Sequence, residues 1–303
     1  MKAKFKFNID KLKLCYNQPK GLFETLLNST IQLIERDGYS LYILKDIEKE
    51  KKGKTPSALS VQILIPENEG RQTLGTLTLH GTSSDYEGYC FFEFQNRAFY
   101  TFLTTSNGNK YSIIPIMAEI ALDLGLKFNH ITRIDIALDC SVNVISKVRT
   151  LIKNHQQKGL ELIFNNRKVT DPERVLEGWK EIYSRTCNKL IKNPSIYLQQ
   201  RDENAPELVI YDKAREIAEE SGKNYISEWN ALGKRCYRTE IRLKRKTLQK
   251  YLNQYPLTEG FELTEIQEPQ TLYDIWQTFT HRIIHFTNPA DRTTLDIADL
   301  IET

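Results

Sequence analysis

The segment Ile131-Thr-Arg-Ile-Asp-Ile-Ala-Leu-Asp-Cys140 limits the fold more than any other, because its apolar and polar residues alternate with a period of two. Side chains alternate across a strand, so Ile134, Ile136 and Leu138 share one face while Arg133, Asp135, Ala137 and Asp139 share the other. A strand of this kind belongs in a sheet with one covered and one wet face, the habit of antiparallel sheets. The N-terminal third agrees: Lys4 to Ile9, Tyr39 to Leu44, Leu59 to Ile65, Thr73 to His80 and Tyr89 to Phe99 read as successive strands separated by turn-rich stretches. Because strands come in runs and do not alternate one-for-one with helices, the fold class is α+β, with mostly antiparallel sheets and flanking helices.

Helical spacing predicts helices over Gly21 to Arg36, Ile113 to Leu124, Val144 to Lys158, Leu248 to Tyr255 and Leu272 to Phe286. Ser195 to Arg201 and Glu207 to Tyr211 read as a hairpin, after which Asp212 caps a short helix that stops near Gly222. Tyr237 to Arg245 is a further strand, Leu160 to Phe164 another, and Lys45 to Lys54 a charged loop. The stretch Asn165 to Lys192 is ambiguous, with Trp179 and Tyr183 suggesting one short helix. With 303 residues, the chain is divided as 1–110 (β-rich half), 111–246 (the half with the polar strands) and 247–303 (helical segment).

Three segments carry chemistry-bearing residues on one strand face. On the first, Asp135 and Asp139 lie about 13 Å apart along the strand, too far to clasp one ion without help; a surface Arg–Asp diagonal is the plainer reading. The second, Leu208-Val-Ile-Tyr-Asp-Lys213, sets the phenol of Tyr211 beside the ammonium of Lys213, which favours phenolate. The third, Tyr237 to Arg245, puts Arg238, Glu240, Arg242 and Lys244 on one face and Thr239, Ile241 and Leu243 on the other. Glu240 there is either a member of a surface ion-pair ladder or a metal ligand or general base beside phosphate-binding cations.

The net charge is only +3, from 42 Lys and Arg against 39 Asp and Glu, so nucleic-acid binding has to be argued from where the charges sit. They are concentrated: Lys234, Arg235, Arg238, Arg242, Lys244, Arg245 and Lys246 face a single acid, Glu240. Five cysteines, odd in number and without a C-x-x-C pair, argue against a disulfide framework and a zinc ribbon. No apolar run approaches membrane-spanning length, and the start alternates charge with apolarity, so a cytoplasmic location without membrane contact is expected. His281 and His285 sit at i and i+4 on one expected helix face, but no third ligand is evident. There is no G-x-x-x-x-G-K-[ST] loop and no Gly-rich dinucleotide fingerprint.

In this order, with about 70 and 30 residues between them, the three segments resemble the replication initiators of rolling-circle plasmids, specifically the staphylococcal-type initiators and the related relaxases of conjugative elements. The family's R-x-D-hydrophobic-x-x-D strand is matched by Arg133, Asp135 and Asp139, and its Y-D-K by Tyr211, Asp212 and Lys213. Its R-x-E-hydrophobic-x-hydrophobic-K/R strand is matched by Arg238, Glu240 and Arg242. Its Y-hydrophobic-G-S-R element corresponds to Tyr197 to Arg201, with Gln199 and Gln200 standing where the family has Gly-Ser. The resemblance covers roughly residues 110–250.

The resemblance implies a duplicated RRM- or ferredoxin-like nicking core followed by C-terminal helices. It implies Tyr211 as nucleophile, forming a 5′-phosphotyrosine and freeing a 3′-OH, with Lys213, Arg238 and Arg201 holding phosphate oxygens. Asp139, Glu240 and Asp135 would hold Mg²⁺ or Mn²⁺, hard cations that favour carboxylates. Arg133, Arg242, Lys244 and Arg245 join Arg201 as DNA-binding residues. A further acid from the N-terminal half is sought among Asp85, Glu87 and Glu93, with Glu93 preferred. Partners implied are origin DNA, a host helicase and polymerase, and a homodimer. Three rivals remain: a relaxase with the same chemistry, a hydrolytic metal nuclease, and a non-catalytic DNA-binding module.

Overall fold

The computed structural model describes residues 5–44, 56–67, 70–82, 84–101, 113–170, 195–199, 205–254, 266 and 268–302. In chain order the first elements are β1 (Phe5–Asn17), α1 (Leu22–Leu27), β2 (Leu33–Glu35), β3 (Ser40–Leu44), β4 (Ala58–Glu67), β5 (Gly70–His80), β6 (Tyr89–Phe94), α2 (Ala98–Thr101) and α3 (Ile113–Asp123). Next come β7 (Lys127–Cys140), α4 (Val144–Asn154), β8 (Glu161–Phe164), β9 (Arg167–Lys168), β10 (Ile196–Gln199), β11 (Glu207–Asp212), α5 (Lys213–Glu216), α6 (Asn224–Asn230) and β12 (Tyr237–Lys244). The chain ends with α7 (Arg245–Gln254), α8 (Pro269–Ile283), β13 (Ile284–Thr287), β14 (Thr294–Leu295) and α9 (Ile297–Glu302).

The fold is α+β. Ten strands are hydrogen-bonded in the order β10-β11-β12-β7-β1-β6-β5-β4-β3-β2, and a smaller sheet has the order β14-β13-β8-β9. The chain divides into two compact units, Met1–Ile9 with Asp135–Thr303, and Asp10–Ile134. The division runs within β1 and β7, and the C-terminal helices lie in the unit that carries the polar strands. Each half repeats one connectivity: a long strand, a helix, a hairpin, and a last strand inserted beside the first. That gives β10-β11-β12-β7 in one half and β4-β5-β6-β1 in the other, where β3 and β2 extend the edge.

In the first unit, β12 presents Thr239, Ile241 and Leu243 to helices, and all three are buried. The Trp276 indole on α8 donates to the Thr239 carbonyl at 3.2 Å, and Phe7 packs edge-on against Trp276 and Tyr273. Asp212 caps α5 by accepting from the Arg215 N–H at 2.9 Å. One wide helical turn follows, Ile217–Ser221, and Gly222 ends it at φ +64°, a left-handed conformation that glycine adopts without strain.

In the second unit, β4 and β5 shift register at Ile63/Leu64, which leaves Leu74 as the extra residue of a bulge beside Gly75. A Cβ on Gly75 would press into the Glu93 carbonyl oxygen and the Phe92 ring. Gly75→Ala is therefore expected to destabilise the protein by about 1–3 kcal/mol through overpacking, read as a lower urea midpoint. An unchanged midpoint would mean that β6 can retreat from the bulge.

Some elements end earlier than their apolar spacing predicts. The helix expected to run to Arg36 stops at Leu27, because the Ser29 hydroxyl bonds both the N–H and the carbonyl of Ile31 and competes with helical bonding. Ile31 is left exposed and Ile34 pairs with Leu41 in the β2–β3 ladder. The strand expected over Tyr89 to Phe99 ends at Phe94, so Phe99 and Tyr100 lie on α2. The last long helix ends at Ile283, and His285 lies on β13 opposite Ile163, not on a helix face shared with His281. Most of the ambiguous stretch Asn165 to Lys192 lies outside the described residues, as does Lys45 to Lys54.

Candidate active site

Antiparallel register brings two of the predicted segments together. Tyr211 is opposite Arg238, Val209 opposite Glu240 and Glu207 opposite Arg242, while on the far side of β11 Tyr197 is opposite Val209. Residues directly opposite share a face, so Tyr197, Glu207, Tyr211, Arg238, Glu240 and Arg242 lie on the face away from Thr239 and Ile241.

The diagonal across that face is closed by a hydrogen bond: the Tyr211 hydroxyl donates to Glu240 Oε2 at 3.1 Å. The other Glu240 oxygen accepts from Arg242 Nε at 2.7 Å. Glu240 is only 2% exposed, so it is held between a phenol and a guanidinium with little water around it. Arg242 also lies 3.9 Å from Glu207, which pairs in turn with Lys244 at 3.6 Å. Burial alone would lower the Arg242 pKa, but the charges of Glu240, Asp135 and Tyr197 more than offset it and the net shift is upward. Asp135, itself buried, thus contributes to the field around this guanidinium.

Lys213 opens α5 one residue past the strand and is nearly fully buried. Its ammonium lies 5.6 Å from the centre of the Tyr211 ring and pairs with Glu216 at 2.7 Å.

Arg238 and Asp139 pair with each other in the interior. Arg238 Nε and Nη2 donate to the two Asp139 oxygens at 2.6 and 2.9 Å, a bidentate pair with 0% and 1% exposure. The Asn230 amide donates both to Asp139 Oδ2 at 3.1 Å and to Cys236 Sγ at 3.2 Å. Asn230 is the residue that sequence reasoning missed; it ends α6, a helix not foreseen, and no pattern in its neighbourhood marks it. Of the others, Arg133 is half-buried on β7 and Arg245 is exposed at the start of α7, while Arg201 lies outside the described residues. Glu93 pairs with Lys11 at 2.6 Å, and Asp85 and Glu87 lie in the turn-rich stretch before β6.

Two of the donors expected for a divalent cation, Asp139 and Glu240, are each hydrogen-bonded to protein groups in this arrangement. Both Asp139 oxygens are engaged by Arg238 and both Glu240 oxygens by Arg242 and Tyr211. Among the described residues no three His, Cys, Asp or Glu side chains are grouped to hold a metal ion. His281 and His285 stack with ring centres 4.0 Å apart, His281 bonding Asp296 and His285 bonding the His281 carbonyl. Among the described residues no helix is long and apolar enough to cross a membrane.

Compared with known proteins, the chain matches no family model and no curated protein. It is similar to the solved structure of a rolling circle replication initiator protein from Geobacillus stearothermophilus, with a TM-score of 0.44 and 12% identity over 94% of this chain and 87% of that one.

Proposed function

We propose that this chain is a DNA-nicking enzyme that initiates rolling-circle replication, with Tyr211 as its nucleophile. The observation that carries this reading is the hydrogen bond from the Tyr211 hydroxyl to the buried carboxylate of Glu240. A phenol is a weak nucleophile until a base takes its proton, and Glu240 is within the range of direct proton transfer. The ordered motifs that resemble plasmid initiators give the substrate class, a phosphodiester of origin DNA.

Glu240 accepts the phenolic proton as the Tyr211 oxygen attacks phosphorus. A P–O bond to tyrosine forms and the bond from phosphorus to the 3′ oxygen breaks. The proton on Glu240 then passes to that oxygen, leaving a free 3′-OH and a 5′-phosphotyrosine. The Lys213 ammonium beside the ring stabilises phenolate character. Arg242 and Lys244, on the same face, are the cations that would meet phosphate oxygens, which carry negative charge throughout the step. The same exchange in a relaxase would differ only in its biological outcome. Origin DNA is the partner this reading requires; a host helicase, a polymerase and a second copy of the chain are further proposals.

The test is to incubate the protein with single-stranded oligonucleotides tiling the origin, with Mg²⁺, Mn²⁺ or chelator in parallel, and to map any covalent adduct by mass spectrometry. The adduct is expected on the peptide containing Tyr211. Glu240→Gln, which keeps the shape but not the basicity, is expected to slow its formation about 10²- to 10⁴-fold in single-turnover assays. A variant as fast as the parent would remove Glu240 as the base.

A further inference from the structure

In the second unit, β5 and β6 hold the places that β11 and β12 hold in the first: a hairpin whose last strand lies beside the long first strand of its half. Phe94 packs against Phe99 of α2, so the buried Cys90, Phe92 and Phe94 face the helices while Tyr89, Phe91 and Glu93 face away. The counterpart of the face that carries Tyr211 and Glu240 thus bears aromatic rings. His80 at the end of β5, Tyr86 in the turn and Phe91 on β6 touch in a triangle, with ring centres 5.3 to 5.7 Å apart. The Lys13 ammonium on β1 lies 5.2 Å from the Phe91 ring centre. The turn is laced in place. Ser84 Oγ lies 3.0 Å from His80 Nδ1 and accepts from the Tyr86 N–H at 3.2 Å, and the Tyr89 N–H donates to the Tyr86 carbonyl at 3.0 Å. Even so, Tyr86 remains 54% and Tyr89 41% exposed.

Fixed rings left in water mark a binding surface, and their surroundings narrow the occupant. Thr78 stands directly opposite Phe91 and Thr76 opposite Glu93, so rings alternate with hydroxyls, unlike the contiguous apolar centre of a protein interface. Glu93 is paired with Lys11 at 2.6 Å, whereas Lys13 makes no ion pair among the described residues. Burial first, and then the charge of Lys13, lowers the His80 pKa, so this ring is neutral at pH 7 and Lys13 is the cation of the cluster. Exposed ring faces beside hydroxyls and an available ammonium are what bases and their backbone meet in sequence-tolerant single-strand sites. We infer that this face is a base-stacking platform for single-stranded DNA, with Tyr86 and Tyr89 stacking on bases, His80 and Phe91 bracing Tyr86, and Lys13 meeting a phosphate. Asp85 and Glu87 adjoin Tyr86 in the chain, so stacking and not net charge carries the affinity. The inference rests on the nicking proposal only in taking DNA as the strand.

Binding is tested apart from chemistry, in the Tyr211→Phe chain, by fluorescence anisotropy with labelled single strands of about 16 nucleotides. One strand carries bases throughout; a second has the same length and charge but abasic sugars. Adding Tyr86→Ala with Tyr89→Ala is expected to weaken the base-bearing strand about tenfold per ring and to leave the abasic strand unchanged. Tyr86→Phe with Tyr89→Phe, which keeps both ring faces, is expected to bind as the parent does. Lys13→Gln is expected to flatten the slope of log K against log salt by about 0.7. An alanine variant with unaltered affinity, or with an equal loss on both strands, overturns the inference. So does a fall in the protein's mass by sedimentation with DNA affinity unchanged, which makes the face a contact between two copies of the chain. Covalent capture by the parent chain is scored separately: if Tyr211 forms an adduct while the alanine variant binds normally, the platform fails and the nicking proposal stands. If no adduct ever forms but binding falls on base-bearing strands only, the reverse holds.

Discussion

Tyr211→Phe is expected to abolish covalent capture of DNA while leaving the fold and non-covalent binding intact. The substitution removes one oxygen. The ring stays on β11, opposite Arg238 and 5.6 Å from the Lys213 ammonium in the parent protein, so packing is conserved. What is lost is the hydrogen bond to Glu240 and the oxygen that the nicking proposal makes the nucleophile. Losing a partly buried hydroxyl costs about 0.5–1.5 kcal/mol of stability, too little to unfold the protein, so a thermal melt on the same sample separates the two effects. The measurement is a denaturing gel of labelled oligonucleotide after incubation. The shifted band should disappear below detection in the variant. Persistence of DNA cleavage without an adduct would instead support a hydrolytic nuclease in which Asp135, Asp139 and Glu240 act on water. A persisting adduct would turn attention to Tyr197, which shares this face, or Tyr237.

The second large effect concerns stability. Asp139→Ala is expected to destabilise the first unit by about 3–5 kcal/mol, because it leaves the Arg238 guanidinium with no exposure and without its bidentate partner. The Asn230 amide loses an acceptor at the same time. Replacing both members with apolar residues of similar size, Asp139→Leu with Arg238→Met, removes the stranded charge and is expected to recover most of the loss. Urea unfolding of the two single variants and the double variant measures this cycle. If Asp139→Ala proved as stable as the parent, the pair would not be the locked structural contact described above. Should the double variant fold and still form the adduct, Arg238 supports the site by its place in the sheet and not by contact with phosphate.

The strands that build the site were legible because their alternation is strict. Reading Arg238, Glu240 and Arg242 on one face of β12 and Tyr211 next to a cation required only the two-residue period and the capping Asp212. The meeting of Tyr211 with Glu240 followed once β11 and β12 were paired in register. The Asp139–Arg238 contact was not legible. It spans 99 residues and depends on β12 lying beside β7, an adjacency that no local pattern encodes. A row of cations looks the same in sequence whether it faces solvent or an internal carboxylate, and so Arg238 read as a phosphate contact. Helix ends were misjudged where a local hydroxyl or an extended ladder outcompeted apolar spacing, as at Ser29 and Ile284.

The phenol rides on β11, which is laced to β10 on one edge and to β12 on the other. A backbone hydrogen-bonded on both sides cannot swing its side chains toward a distant target as a loop can; only the tyrosine's own torsions are free. Under the nicking proposal, whatever travel is needed to bring phosphorus to the Tyr211 oxygen would then be made by the DNA, which would have to unstack, bend and come to the protein. On this view the pace of initiation is set by how easily the origin opens, and mutations that loosen the double helix at the nick should accelerate the reaction more than any that loosen the protein.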